Sequence, residues 1–194
     1  QTVKAGALAI SVSPTPFGQN VVRGINGYTF ATFIFDAGSS GENVRVTSFK
    51  IRDTISANGV ADEINNCVFF DGATALNTGS DVLSPTDDST GTTEDNTVSL
   101  TNNLIVPKGT TKSVDLKCNI TSSATNNSTH SIGVNDTTAS NVVGALTSQA
   151  ITSANLAPTF NLASQISTPT VTPIAPIVPP TAPIAPPVAP VVPP

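Results

Sequence analysis

The sequence predicts an all-β chain, an antiparallel β-sandwich followed by an extended polyproline II tail. Three observations carry the prediction. Val114, Leu116, Cys118 and Ile120 alternate strictly with polar residues, the two-residue period of a strand with one face in a core and one in water. No segment has a persuasive helical period, and short apolar runs are separated by turns rich in Gly, Asn, Ser and Pro. From Pro173 the chain reads as three seven-residue units, PIAPIVP, PTAPIAP and PVAPVVP, closed by Pro194. Proline lacks a backbone donor, fixes φ and pushes the preceding residue into the extended region, so helix and central strand are both excluded there.

The elements follow in chain order. Thr2 to Ser13 reads as a strand, with Leu8, Ile10 and Val12 alternating, and Pro14 and Pro16 stop it. After a turn at Phe17 to Asn20 and a short Val21-Val22 piece, the aromatic run Tyr28 to Ala37 reads as a central strand largely covered on both faces. Phe33 and Phe35 fall on one side of it, and Tyr28, Phe30 and Ile34 on the other. Gly38 to Gly41 turns the chain into Asn43 to Asp53, where Val44 and Val46 share one parity and Phe49 and Ile51 the other. That switch predicts a β-bulge near Thr47 and Ser48.

Ile64 to Asp71 is a short strand with Cys67 and Phe69 on one face. The polar stretch Asn77 to Asn96 reads mostly as loop, with a brief pairing at Asp81 to Ser84. Thr97 to Leu100, Leu104 to Val106, a turn at Pro107 to Gly109 and Ser113 to Ile120 follow. His130 to Val134, Ala139 to Thr147 and Leu156 to Leu162 supply the last strands. Some eight to ten short strands with turns between them point to an immunoglobulin-like sandwich over residues 1–165, with the tail over 166–194.

Totals limit the function. The chain has 194 residues, 11% charged, a net charge of −5, and no charged residue after Asp136. It carries no electrostatic footprint for nucleic acid. No apolar run is long enough to span a bilayer as a helix, so no membrane insertion is expected. Gln1 opens a chain without Met, as expected of a mature secreted protein after signal-peptide removal. Cys67 and Cys118 read as one disulfide, placed to staple two sheets, with a pair of buried thiols as the alternative.

Chemistry is sparsely written in the sequence, and the chain is read as not an enzyme and without a cofactor. His130 is the only histidine, and its neighbour Ser131 points to the opposite face of a strand. Asp81, Asp87, Asp88, Glu94 and Asp95 form an acidic stretch that is a weak calcium candidate, but its spacing does not match an EF-hand loop and a solvated loop is the simpler reading. Asn119, Asn126, Asn127 and Asn135 lie in Asn-x-Ser/Thr triplets and are candidates for glycans. Thr168, Thr170, Thr172 and Thr181, beside prolines, are candidates for O-linked sugars.

LAISVSPTP (from Leu8), QNVVRG (from Gln19), VRVTSFKI (from Val44), IVPKGTTKSVDLKCNI (from Ile105) and NVVGALT (from Asn141) together resemble the immunoglobulin-like modules of prokaryotic cell-surface and surface-layer-type proteins. The resemblance covers roughly Val3 to Phe160. It implies an extracellular structural role with no active site to carry over.

The tail sharpens that role. At about 3.1 Å per residue, Pro169 to Pro194 would span roughly 80 Å. It is uncharged and carries Ile174, Ile177, Ile184, Val188 and Val191, which a solvated spacer would not need. The expectation is a secreted, cell-surface subunit that polymerises with copies of itself into a filament or pilus-like fibre. Residues 1–13, with Leu8, Ile10 and Val12, are a candidate exchanged strand, and the rod is a second connector. The alternative is a monomeric adhesin or carbohydrate-binding module on a Pro-rich stalk.

Overall fold

The computed structural model describes residues 5–16, 18–56, 58–85, 93–134, 141–151 and 164–167, the last by backbone alone. The proline-rich rod, Asp87, Asp88, Asn135 and the strand expected at Leu156 to Leu162 lie outside the described residues. The strands are β1 (Ala9–Val12), β2 (Asn20–Val22), β3 (Tyr28–Asp36), β4 (Val44–Ser56), β5 (Ile64–Asp71), β6 (Thr74–Ala75), β7 (Thr93–Val106), β8 (Thr111–Ile120), β9 (Ser128–Val134), β10 (Asn141–Gly144) and β11 (Ser164–Ser167). Short 3-10 turns span Ala61–Glu63 and Gly79–Asp81.

Two sheets pack as a β-sandwich. One runs β1-β3-β8-β5-β6, and the other runs β10-β4-β9-β11-β2 with β7 also on β4. β7 pairs with Val44 to Thr54, whereas β10 takes Val44 to Ser48 and β9 takes Ile51 to Ser56. A strand has two edges, so β10 and β9 lie end to end along one edge of β4 and β7 along the other. All pairs are antiparallel except β2 with β11.

Parity explains the core. In β4 the register shifts between Val46 and Ser48, the bulge that the parity switch predicts, so Val44, Val46, Phe49, Ile51 and Ile55 all turn inward. In β3 a second shift, between Thr29 and Ala31, corrects the two-sided reading. Phe30 joins Phe33 and Phe35 in the core, half-buried Tyr28 packs against that core with its ring 5.0 Å from that of Phe30, and Ile34 is only half-buried. Phe33 and Phe35 of one sheet meet Phe49 of the other, which also meets Phe69 of β5, with ring centroids 5.0–5.9 Å apart and steep interplanar angles. Such pairs contribute about 0.5–1.5 kcal/mol each beyond the area they bury. Phe49 therefore reaches β3 from the opposite sheet and not from an adjacent strand.

Cys67 and Cys118 are bonded, with Cα atoms 4.0 Å apart, but they do not join the two sheets. β5 and β8 are neighbours in one sheet, and a register shift between Asn65 and Val68 sets Cys67 beside Cys118. The inward parity of each cysteine is as expected; strand adjacency decided the rest. The bulge frees the Cys67 backbone for Leu83, in a two-way bridge at 2.8 and 3.1 Å that falls within the brief pairing expected at Asp81 to Ser84. The stretch read as loop also yields its last residues to β7, which begins at Thr93. Alternation is weak there because β7 lies at the sheet margin, where both faces of its first turns carry polar side chains.

The first and last described residues, Ala5 and Ser167, lie toward opposite ends of the sandwich. Ala5 accepts from the Gly41 amide, at the end formed by the 37–43, 107–110 and 145–149 loops. β11 runs from Ser164, opposite His130, to Ser167, opposite Val22, and so points to the end formed by the 23–27, 57–63 and 121–127 loops.

Candidate functional site

Each end is organised by one buried glutamate. At the β11 end, Glu63 closes the 3-10 turn that feeds β5 and faces His130 of β9, whose other ring nitrogen meets Asp53 of β4. All three are buried. His130 Nδ1 lies 2.6 Å from Asp53 Oδ2 and Nε2 lies 3.2 Å from Glu63 Oε2. Ser128 Oγ donates to Glu63 Oε2 at 2.6 Å, and the Thr125 amide donates to Oε1 at 2.7 Å. Burial opposes charge on the imidazole, but the Asp53 and Glu63 carboxylates outweigh it and lift His130 to about 9. Burial likewise opposes charge on Glu63, and its bonds from His130, Ser128 and Thr125 outweigh that and hold it at about 2. At neutral pH the imidazolium donates from both ring nitrogens.

The geometry forms a staple between sheets. Asp53 and His130 belong to one sheet and Glu63 leads into the other. Gly59 lies against it, where an added Cβ would stand 2.7 Å from Ser128 Cβ and 3.2 Å from Glu63 Oε2. A histidine held between carboxylates is also how catalytic bases are oriented. Here both ring nitrogens are occupied by carboxylates and the Ser128 hydroxyl is directed at Glu63, while Asp53 Oδ1 is buried without a hydrogen-bond partner.

At the other end, Glu42 organises the loop after β10. Its Oε2 accepts from the Leu146 and Thr147 amides at 2.8 and 2.9 Å, and its Oε1 accepts from Thr147 Oγ1 at 2.6 Å. The Thr147 hydroxyl and amide, against some opposition from burial, hold this carboxylate below its ordinary range. Gly144 must be glycine for this contact, since a Cβ there would fall 2.2 Å from Glu42 Oε1. The loop so held displays Leu146, 86% exposed, beside a surface pocket of about 410 Å³ lined by Gly41, Asn43 and Lys108.

The residues singled out from sequence scatter. Leu8 and Ile10 are buried in their own chain's core and Val12 packs against it. Asp95 forms a two-pronged bond with Arg52 at 2.6 and 2.7 Å, Glu94 sits beside it on β7, and Asp81 accepts from Thr101 at 2.5 Å. Among the described residues no three His, Cys, Asp or Glu side chains converge as a metal site. Asn119 lies in β8, within the strand expected at Ser113 to Ile120, and accepts from the Gly27 amide at 2.9 Å. Asn126 and Asn127 are exposed in the loop before β9. The other calcium, glycan and assembly candidates, including Thr168, Thr170, Thr172, Thr181, Ile174, Ile177, Ile184, Val188 and Val191, lie outside the described residues.

Sequence reasoning missed the staple, although two of its members carry a signal. His130 shares parity with Ile132 and Val134, and Asp53 shares parity with Ile51 and Ile55, so each is a polar residue on an apolar face. Glu63 carries no such signal in its 3-10 turn. Among the described residues no helix is long and apolar enough to cross a membrane. Compared with known proteins, the chain matches no family model, no curated protein and no solved structure.

Proposed function

We propose that the chain is a structural subunit of a secreted, self-assembling extracellular filament, an immunoglobulin-like module joined to its copies by strand addition, by packing of a polyproline II tail, or by both. The observation that carries this reading is the placement of the two chain directions, with Ala5 at one end of the sandwich and Ser167 pointing out of the other. Connectors leaving opposite ends make head-to-tail contacts that need not close, the geometry of an open fibre. The disulfide suits an oxidising, extracellular compartment. Glycans on exposed Asn126 or Asn127 would solvate a surface poor in charge.

Electron microscopy and size-exclusion chromatography of the full chain, with and without residues 168–194, test the proposal. Fibres from the full chain, and a change in assembly or solubility on deletion, are expected. A full chain that stays monomeric at high concentration, unaffected by the deletion, would end the reading.

A further inference from the structure

We infer that copies meet end to end in the fibre: the end of one sandwich that carries Leu146, Ile105 and Lys108 seats on the opposite end of the next, which carries Ile25, Val22 and Asp62. The inference rests on the filament reading and names the surfaces in contact.

Apolar exposure is confined to the two ends. Among the described residues four large apolar side chains are exposed, Val22, Ile25, Ile105 and Leu146. Leu146 lies in the loop after β10, and Ile105 is the last residue but one of β7, both at the Ala5 end. Val22 closes β2 and Ile25 lies in the loop that follows, both at the β11 end. Single apolar side chains scattered over a surface are ordinary. Two at each pole, with none described between them, mark two faces that water should leave.

Both faces are ordered before they meet. The Leu146 amide donates to the buried Glu42 carboxylate, the Ala145 amide to the Asn43 carbonyl at 2.7 Å and the Ser148 amide to the Gly144 carbonyl at 2.9 Å. A buried carboxylate thus fixes a loop whose leucine adds almost nothing to its own core. Ile25 is held as firmly, its carbonyl accepting from the Ile120 amide at 2.9 Å, with the Gly24 amide on the Thr121 carbonyl and the Gly27 amide on Asn119. Faces that are already ordered lose little conformational entropy on association.

Charge and spacing match across the contact. Lys108 and Asp62 are exposed, and neither forms an ion pair among the described residues. Asn43 accepts from the Ala145 amide on one side and, through Oδ1, from the Lys108 amide on the other. Leu146 and Lys108 therefore stand about two strand spacings apart, about 10 Å. At the far end the Ile120 amide donates to Ile25 and the Thr121 amide to Glu63, which sets Ile25 and Asp62 at the same spacing. Lys108 can then face Asp62 while Ile25 enters the pocket of about 410 Å³ beside Leu146. Asp36, also exposed at the Ala5 end, lies on β3 in the other sheet, and Arg23 at the β11 end is committed to the Ala124 carbonyl. Either face set against its own copy would leave its charge without an opposite. The contact is therefore head to tail and does not close.

Lys108 and Asp62 stand at opposite ends of one sandwich, roughly 30 Å apart along the strands, so a short cross-linker between them joins only different chains. The Lys108→Cys/Asp62→Cys double variant of the full chain is assembled, treated with a short bismaleimide and run on denaturing gels, beside wild type whose fibres are checked by electron microscopy. A ladder of covalent multimers is expected, and a covalent heterodimer when the two single variants are mixed. Leu146→Asp changes a side chain outside the core, so it should keep the circular dichroism of the monomer and raise the concentration needed for fibres roughly tenfold or more. Fibres of Leu146→Asp at the parental concentration, or fibres of the double cysteine variant whose treated chains run as monomers, overturn the end contact and leave the filament standing. A wild type without fibres overturns both.

Discussion

Glu63 and Glu42 are both buried glutamates that use both carboxylate oxygens, yet they do different work. Glu63 faces a cation, the His130 imidazolium, which a second carboxylate, Asp53, holds from behind. Glu42 faces only neutral donors, the Leu146 and Thr147 amides and the Thr147 hydroxyl. The first joins His130 and Glu63, 67 residues apart, across two sheets; the second reaches 104 and 105 residues along the chain, but only to fix the loop after β10 beside β4 in the same sheet. A carboxylate in a charged network couples tertiary structure to pH on both sides of neutrality. One capped by amides answers only to acid.

The largest effect that sharpens this contrast is expected from Glu63→Ala. It leaves His130 and Asp53 buried without their third partner and removes the acceptor of Ser128 and Thr125, so a loss of about 3–5 kcal/mol is expected. Denaturant unfolding of the full chain checks it. If the loss is no greater than that of Glu42→Ala, the two glutamates are equivalent and the contrast fails.

The pH profile comes next. His130 titrates near 6.5 unfolded and about 9 folded, so its contribution is complete below about 6.5 and disappears as pH rises through about 9. Glu63 titrates near 4.5 unfolded and about 2 folded, so its contribution is complete above about 4.5 and is lost as pH falls through about 2. Stability from this pair is therefore fullest between about 4.5 and 6.5. Thermal unfolding across pH should show that plateau, and His130→Gln should flatten its alkaline limb. An alkaline limb as steep in the variant as in the parent would remove His130 from the account.

The smallest effect is expected from Thr147→Val, which removes the hydroxyl donated to Glu42 and keeps the backbone amides. Global stability should hardly change. Hydrogen exchange at the amides of Leu146 and Thr147 should quicken, more so at acid pH, where the Glu42 carboxylate gains its proton. A global loss as large as that of the Glu63 variant would mean that the loop carries the fold.

Local alternation was legible because it is local. The parity switch at Thr47 and Ser48, the inward face of Val114 to Ile120 and the turn at Pro107 to Gly109 each follow from sterics and solvation within a few residues. His130 and Asp53 were half legible, as polar residues at apolar parity whose partners were unknown. Tertiary closure decided the rest: that β5 and β8 share one sheet, so the disulfide spans neighbours; that Phe49 meets Phe33 and Phe35 from across the core; and that a 3-10 turn carries Glu63 to His130. The two-residue period of a strand fixes which face is buried but says nothing about which strand will lie beside it. That choice is made only when distant segments close around one core, and a buried charge finds its partner at the same moment.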